Sequence, residues 1–314
     1  MDIIQLNYTD DAGLESLEKS ATAIGFFDGL HRGHLKVINK MAKIAEEKNL
    51  KKGIMTFDPH PSVVLNPKFQ RTTYLTPLEI KLEMFESMGI DYVFIINFSS
   101  KLAKLEPDDF VKKYIIGANV SELISGFDYT YGARGSGNTT NLTRYTEFNT
   151  TIVGKYAFTD EKISTTQIRT NLAGGQLEDA NKLIGRTYTI SGVVVQGEKR
   201  GRTIGFPTAN IEADFRYFLP KNGVYSVTLK VHSTEEIHKG VGNIGVKPTF
   251  HDDITKPIIE VHLFDFNESI YGESVTIYFH HYIRGEVKFD GVDELVEQME
   301  IDREDAIKLL EDVD

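Results

Sequence analysis

Gly25-Phe26-Phe27-Asp28-Gly29-Leu30-His31-Arg32-Gly33-His34 joins an apolar run, Ala21 to Phe26, to a segment through about Lys48 in which Leu35, Ile38, Met41 and Ala45 recur at helical spacing. A buried strand running directly into an amphipathic helix is the opening of a βαβ unit. The alternation continues outward from it. Gly53 to Phe57 reads as the next strand, and Thr76-Pro77 opens a helix with a capping hydroxyl and a proline at its first position. Tyr92 to Phe98 follows as a third strand, Pro107 to Ile116 as a third helix and Glu122 to Ser125 as a short fourth strand. Strict alternation predicts an α/β fold with a mainly parallel sheet covered on both faces, and ligands in such sheets sit beyond the carboxyl ends of the strands.

After Lys162 the pattern changes. Ser164 to Leu172 and Leu177 to Ile184 read as two helices separated by Gly174-Gly175. Beyond them come short β segments at Tyr188 to Val195, Val224 to Val231, Gly240 to Ile244, Ile258 to Phe266 and Ser274 to Tyr282. Short strands parted by Gly, Pro, Asn and Asp turns predict a small antiparallel barrel or sandwich. The chain finishes as a helix with Val292, Leu295, Val296 and Met299 in one apolar stripe and acidic residues on the solvated face.

The chain has 314 residues, which at roughly 100–200 per domain implies two domains. It has no Cys, so disulfides, thiolate metal sites and thiol nucleophiles are excluded, and a reducing, cytoplasmic setting fits. No apolar run approaches the ~20 residues of a membrane span, and Met1 to Ser20 lacks a signal-peptide pattern. The net charge of −11 argues against a nucleic-acid or anionic-membrane partner, since both need a positive field. That charge is uneven. Residues 1–183 sum to −2 and 184–314 to −9, with −8 of the latter in residues 284–314.

The opening stretch has a phosphate chemistry of its own. Helix N-termini present unpaired N–H groups and a positive dipole end, Gly29 and Gly33 permit close approach, and His31 and His34 can both point at one phosphate. Ile163-Ser164-Thr165-Thr166-Gln167-Ile168-Arg169 is, taken alone, a capped helix start with a cation in its first two turns. In the second half, the stretch from Gly197 to Asn210 (Gly-Glu-Lys-Arg-Gly-Arg-Thr-Ile-Gly-Phe-Pro-Thr-Ala-Asn) combines glycines and three cations, suited to a flap around a polyphosphate. The Thr208 hydroxyl beside the Asn210 amide suits a magnesium nucleotide, although a basic β-turn leading into a strand has the same composition. Glu260 stands in an apolar strand and shares a face with Ile258, His262 and Phe264.

The first two motifs, with Phe57-Asp58-Pro59-His60-Pro61 and Gly126-Phe127-Asp128-Tyr129-Thr130-Tyr131-Gly132 between them, resemble the adenylyltransferase half of the bacterial bifunctional riboflavin kinase/FAD synthetase family. Its pattern opens with F-D-G-x-H-x-G-H and closes with S-[ST]-x-x-I-R. The resemblance implies a Rossmann-like nucleotidyltransferase domain over residues 1–183. Gly25, Phe26, Asp28 and Gly33 would surround ATP, with His31 and His34 on its phosphates and Ser164, Thr165 and Arg169 holding the triphosphate from the opposite side. His60 and Asp128 would contact the flavin. Many relatives have Arg where this chain has Gln167, and some have Asn where it has Asp128.

Gly-x-x-x-Gly-Arg-x-x-Gly-Phe-Pro-Thr-Ala-Asn closely resembles the riboflavin kinase signature of the same family. This implies a small β-barrel with a terminal helix over residues 184–314. Gly197, Lys199, Gly201 and Arg202 would bind ATP, and Thr208 and Asn210 its Mg²⁺. Glu260 would be the general base toward the riboflavin 5′-hydroxyl, and Arg284 would help position the flavin. The implied reactions are phosphorylation of riboflavin by ATP to FMN with release of ADP, then adenylylation of FMN by a second ATP to FAD with release of pyrophosphate. A single-activity enzyme and a flavin-sensing regulator are the alternatives.

Overall fold

The computed structural model describes residues 1–314 except 10–13, 69, 156, 159–160, 198–200, 202–203, 248–255 and 314. Two compact units divide the chain at Thr165 and Thr166. The family resemblance implies a divide between residues 183 and 184, so the difference concerns the two helices in between.

The first unit holds a six-stranded sheet of β1 (Asp2–Leu6), β2 (Ser20–Ile24), β3 (Lys51–Asp58), β4 (Tyr92–Asn97), β5 (Val120–Gly126) and β6 (Asn149–Val153). Their order is β1-β4-β3-β2-β5-β6, and every pairing is parallel. From β2 the chain steps to one side through β3 and β4, then returns to lay β5 on the other side of β2. The switch between β2 and β5 opens a crevice at their carboxyl ends. Strand residues alternate between two cores. Val93 and Ile95 pack with Ile54, Phe85 and the α1 residues Ile38 and Met41 (α1, Arg32–Lys48), whereas Phe94 and Ile96 pack with Met55, Phe110 and Tyr114.

Three local expectations are corrected. The helix expected to be capped by Thr76 is α2 (Leu78–Ser87), whose N-cap is Pro77 and which has no side-chain cap bond. The helix from Pro107 is α-helical only to Phe110, and Val111–Ile116 continues as a π turn. Strands β1 and β6 lie where no strand is read in the sequence.

From Thr166 on, the second unit takes in the rest of α3 (Thr165–Gly174) and α4 (Leu177–Ile184). Asn181 fixes α4 to the barrel, donating from Nδ2 to the Phe279 carbonyl (3.0 Å) and accepting the Tyr188 N–H at Oδ1 (2.8 Å). The barrel comprises β7 (Tyr188–Val195), β8 (Ala209–Ala213), β9 (Gly223–Val231), β10 (Ile237–Lys247), β11 (Lys256–Leu263) and β12 (Ser274–Arg284). It closes in the order β7-β8-β11-β10-β9-β12, antiparallel throughout, around Ile190, Tyr225, Val227, Ile277 and Phe279. Of the two all-β forms open to the sequence, the barrel is the one built.

Helix α5 (Val292–Leu309) packs on the barrel's outer wall. Of its expected apolar stripe, Val292 is 59% exposed while Leu295, Val296 and Met299 are partly buried, and the fully buried positions, Ala306 and Leu310, lie further along the chain. Asp302, 4% exposed, lies in the same buried line. It accepts two charge-assisted bonds from Arg284 at the end of β12, Nε to Oδ1 at 2.7 Å and Nη2 to Oδ2 at 2.6 Å. Asp302→Ala leaves that guanidinium largely enclosed without its counter-charge and costs about 3–5 kcal/mol, readable by thermal denaturation.

Candidate functional site

In the first unit, α1 begins at the carboxyl end of β2, and its N-cap is His31. The His31 Nδ1 accepts the His34 backbone N–H at 3.3 Å, so the ring proton of His31 sits on Nε2. The two imidazoles stack with centroids 3.6 Å apart, and the edge of His34 meets Phe27. The loop leading to His31 has positive φ at Phe27 (56°), Gly29 (85°) and Leu30 (41°), a strained path held by the burial of Phe27 and Leu30.

A cavity of about 250 Å³ opens here, lined by His31, Gly33, His34, Asp128, Ser164 and Thr165 among others. It lies at the β2/β5 switch, where Gly126 ends β5. The structure thus brings together six of the first-site residues. Gly25, Phe26 and Asp28 do not line the cavity but form the loop beneath it. Asp28 is 1% exposed, and its Oδ1 accepts the Thr76 N–H at 3.2 Å while its carbonyl accepts the Thr165 hydroxyl at 3.2 Å. Asp128 sits with the histidines, not with His60. His60 caps the short helix Pro61–Leu65 and meets the Phe26 ring edge-on at 4.5 Å. Next to that helix lies an aromatic-walled cavity of about 170 Å³, bounded by Phe57, Pro61, Phe98, Phe110 and Tyr131. Arg169 belongs to the second unit, where its guanidinium lies 4.0 Å over the Phe218 ring.

In the second unit, one cross-strand row runs Asn210, Glu260, Asn243, Val224, Arg284 over five strands. Buried Ile259, Val261 and Leu263 turn into the barrel, which puts Glu260 and His262 on the outer wall. A cavity of about 340 Å³ is lined by Glu260, Asn243, Val224 and Arg284 of this row but not by Asn210, together with Thr208 and the apolar Val287, Leu295 and Met299. A second cavity of about 260 Å³ is lined by Thr208, Ala209, Ile270 and Tyr271. Thr208 is a wall of both.

Two supports escape a sequence reading. His262 Nδ1 donates to the Pro207 carbonyl at 2.8 Å, tying β11 to the loop that carries Thr208. Arg284, expected at the flavin, is engaged by Asp302 while lining the cavity. Lys199 and Arg202 lie outside the described residues. A Cβ on Gly197 would stand 2.2 Å from Nδ2 of Asn210, and one on Gly201 2.1 Å from the Phe206 carbonyl oxygen. Gly197→Ala therefore displaces the Asn210 amide. It is expected to lower activity at this site about 10–100-fold and to leave the first site unchanged, in assays of each reaction separately.

The FAD synthetase family model matches residues 14–167 and the riboflavin kinase family model residues 184–310. The chain is 45% identical to the bifunctional riboflavin kinase/FMN adenylyltransferase of Listeria monocytogenes, over 90% of each chain. It is 44% identical to the Bacillus subtilis protein of the same description, over 94% of this chain and 93% of that one. A crystal structure described as a macrolide-efflux protein from Streptococcus pneumoniae shares the fold with a TM-score of 0.84 at 31% identity, covering 95% of this chain and 97% of that one. Among the described residues, no helix is long and apolar enough to cross a membrane. Two family models in tandem, and relatives this similar along nine-tenths of their length, show that the chain belongs to the bifunctional riboflavin kinase/FMN adenylyltransferase family.

Proposed function

We propose that the barrel phosphorylates riboflavin to FMN and that the parallel-sheet unit converts FMN to FAD, each reaction consuming one ATP. The observation that carries the kinase assignment is Thr208, which walls both barrel cavities with Glu260 beside it in register with Asn210. The cavity with the apolar side formed by Val287, Leu295 and Met299 suits the flavin ring, and the other suits the nucleotide. The γ-phosphoryl group then passes at Thr208. Glu260 takes the proton of the riboflavin 5′-hydroxyl as that oxygen bonds to the γ-phosphorus and the bond to the β-phosphate oxygen breaks, releasing ADP.

A divalent cation fits the donors present. Among the described residues there is no cluster of three or more His, Asp or Glu that would hold a resident metal. Thr208 and Asn210 offer neutral oxygens instead, as befits Mg²⁺ arriving on nucleotide phosphates with most of its shell already filled. Thr208 and Asn210 would hold it, and it supplies charge neutralisation on the phosphates.

At the first site the FMN phosphate attacks the α-phosphorus of ATP, and the bond to the β-phosphate oxygen breaks to release pyrophosphate. The His31 Nε2–H, the His34 ring and the N-terminus of α1 stabilise the charge that builds on the phosphates. The aromatic cavity beside His60 takes the flavin ring, and Ser164 and Thr165 border the phosphate cavity. Neither reaction needs a thiol, in keeping with a chain without cysteine and a cytoplasmic setting.

Incubation with riboflavin, ATP and magnesium, followed by chromatography of the flavins, tests the assignment. FMN and then FAD are expected. FMN alone, or no conversion of riboflavin with FAD still formed from added FMN, would reduce the protein to one activity.

A further inference from the structure

Lys81 reads in the sequence as one more polar position on α2, yet it is 2% exposed. Its Nζ donates to the Phe26 carbonyl at 3.0 Å and lies 4.4 Å from the centroid of the Phe26 ring. The same carbonyl accepts the Thr56 hydroxyl at 3.1 Å. The Phe26 ring is in turn packed by His60 and by Tyr74, at 4.5 and 5.6 Å. Three carboxylates act on the ammonium: Asp28 from the loop after β2, Asp58 from the end of β3 and Glu79 from its own helix. Lys81 does not line the cavity of His31 and His34. It lies under the strained loop that delivers them.

We propose that Lys81 is a positioning residue for adenylyl transfer, its ammonium clamping the Phe26 carbonyl and offsetting Asp28 and Asp58 so that the loop holds His31 at the head of α1. The proposal rests on the reading of this unit as the adenylyltransferase. A loop with positive φ at Phe27 and Leu30 relaxes unless its surroundings over-determine it. The clamp at Phe26 acts one residue before the first of these, and Asp28, one residue after it, is held by Thr76 and Thr165.

The ammonium is titratable near working pH, which gives the idea a distinctive readout. Burial lowers its pKa to about 8, with Asp28, Asp58 and Glu79 working in the opposite direction. In the unfolded chain the lysine keeps its proton to about 10.4. Between these values the unfolded state binds more protons, so this group's contribution to stability rises with pH. The clamp requires the opposite for activity. As pH rises through about 8 the proton is lost, and kcat for FAD formation falls while the protein gains stability from the same group.

The test measures kcat and KM for FAD formation from FMN, and for FMN formation from riboflavin, between pH 7 and 9.5 on the full chain. It uses wild type and Lys81→Met, with folding checked by circular dichroism and melting. For wild type, the alkaline fall is expected in FAD formation and not in FMN formation. Lys81→Met is expected to lower kcat for FAD formation about 10–100-fold, with KM for ATP changed less than about threefold and the alkaline limb gone. A flat wild-type profile overturns the proposal without recourse to a variant, and so does a folded Lys81→Met protein with wild-type kcat. Absence of FAD formation by wild type at every pH would instead overturn the adenylyltransferase reading itself.

Discussion

Glu260→Ala is expected to end FMN formation, with a loss of about 10³-fold or more, while the same protein still makes FAD from supplied FMN. A positioned general base contributes typically 10²–10⁴-fold, and in the proposed role of Glu260 the alanine also removes the hydrogen-bond partner of the alcohol. Glu260→Gln separates the two parts. It keeps the shape and a hydrogen bond but cannot take the proton, so its kcat should fall nearly as far while KM for riboflavin stays close to wild type. Glu260 sits on the outer wall of the barrel, and its strand keeps Ile259 and Val261 buried on the other face, so neither change disturbs the interior. A folded variant that lost both reactions would refute the assignment of one site to each unit.

His34→Ala is expected to do the reverse, lowering FAD formation by about 10²–10³-fold with FMN formation unchanged. The ring stacks on His31 and lines the cavity at the head of α1, and its backbone N–H makes the cap bond, which alanine retains. His31→Ala is a harsher change because it deletes the cap itself. Loss of a cap costs about 1 kcal/mol, so that variant mixes lost stability with lost catalysis. Comparing the two by melting temperature and by kcat for FAD formation keeps these effects apart.

What the sequence made legible was local. The run from Ala21 through Lys48 carries first the apolar run of a strand and then the period of a helix, and the structure puts β2 and α1 there with the histidines at the junction. Strand β7 matches its expected limits at Tyr188 and Val195. The elements missed depend on distant partners. Asp2–Leu6 is an edge strand that pairs only with β4, and four of its five residues are not buried, so it leaves no apolar run. Asn149–Val153 begins Asn-Thr-Thr and draws its strand character from β5 alongside. Lys81 and Asp302 were hidden for a related reason. Each belongs to a charged helix, where a side chain that turns inward looks the same as one that faces water. Lys81 is identified by the Phe26 carbonyl and Asp302 by Arg284, and neither partner lies on the same helix.

The double role of Thr208 has a thermodynamic consequence. Thr208 lines the spaces assigned to both substrates of the kinase, so a ligand that moves this residue from one space alters what the other ligand meets. The affinities for flavin and nucleotide are then linked, and linkage is reciprocal. Any factor by which ATP changes the dissociation constant of riboflavin must equal the factor by which riboflavin changes that of ATP.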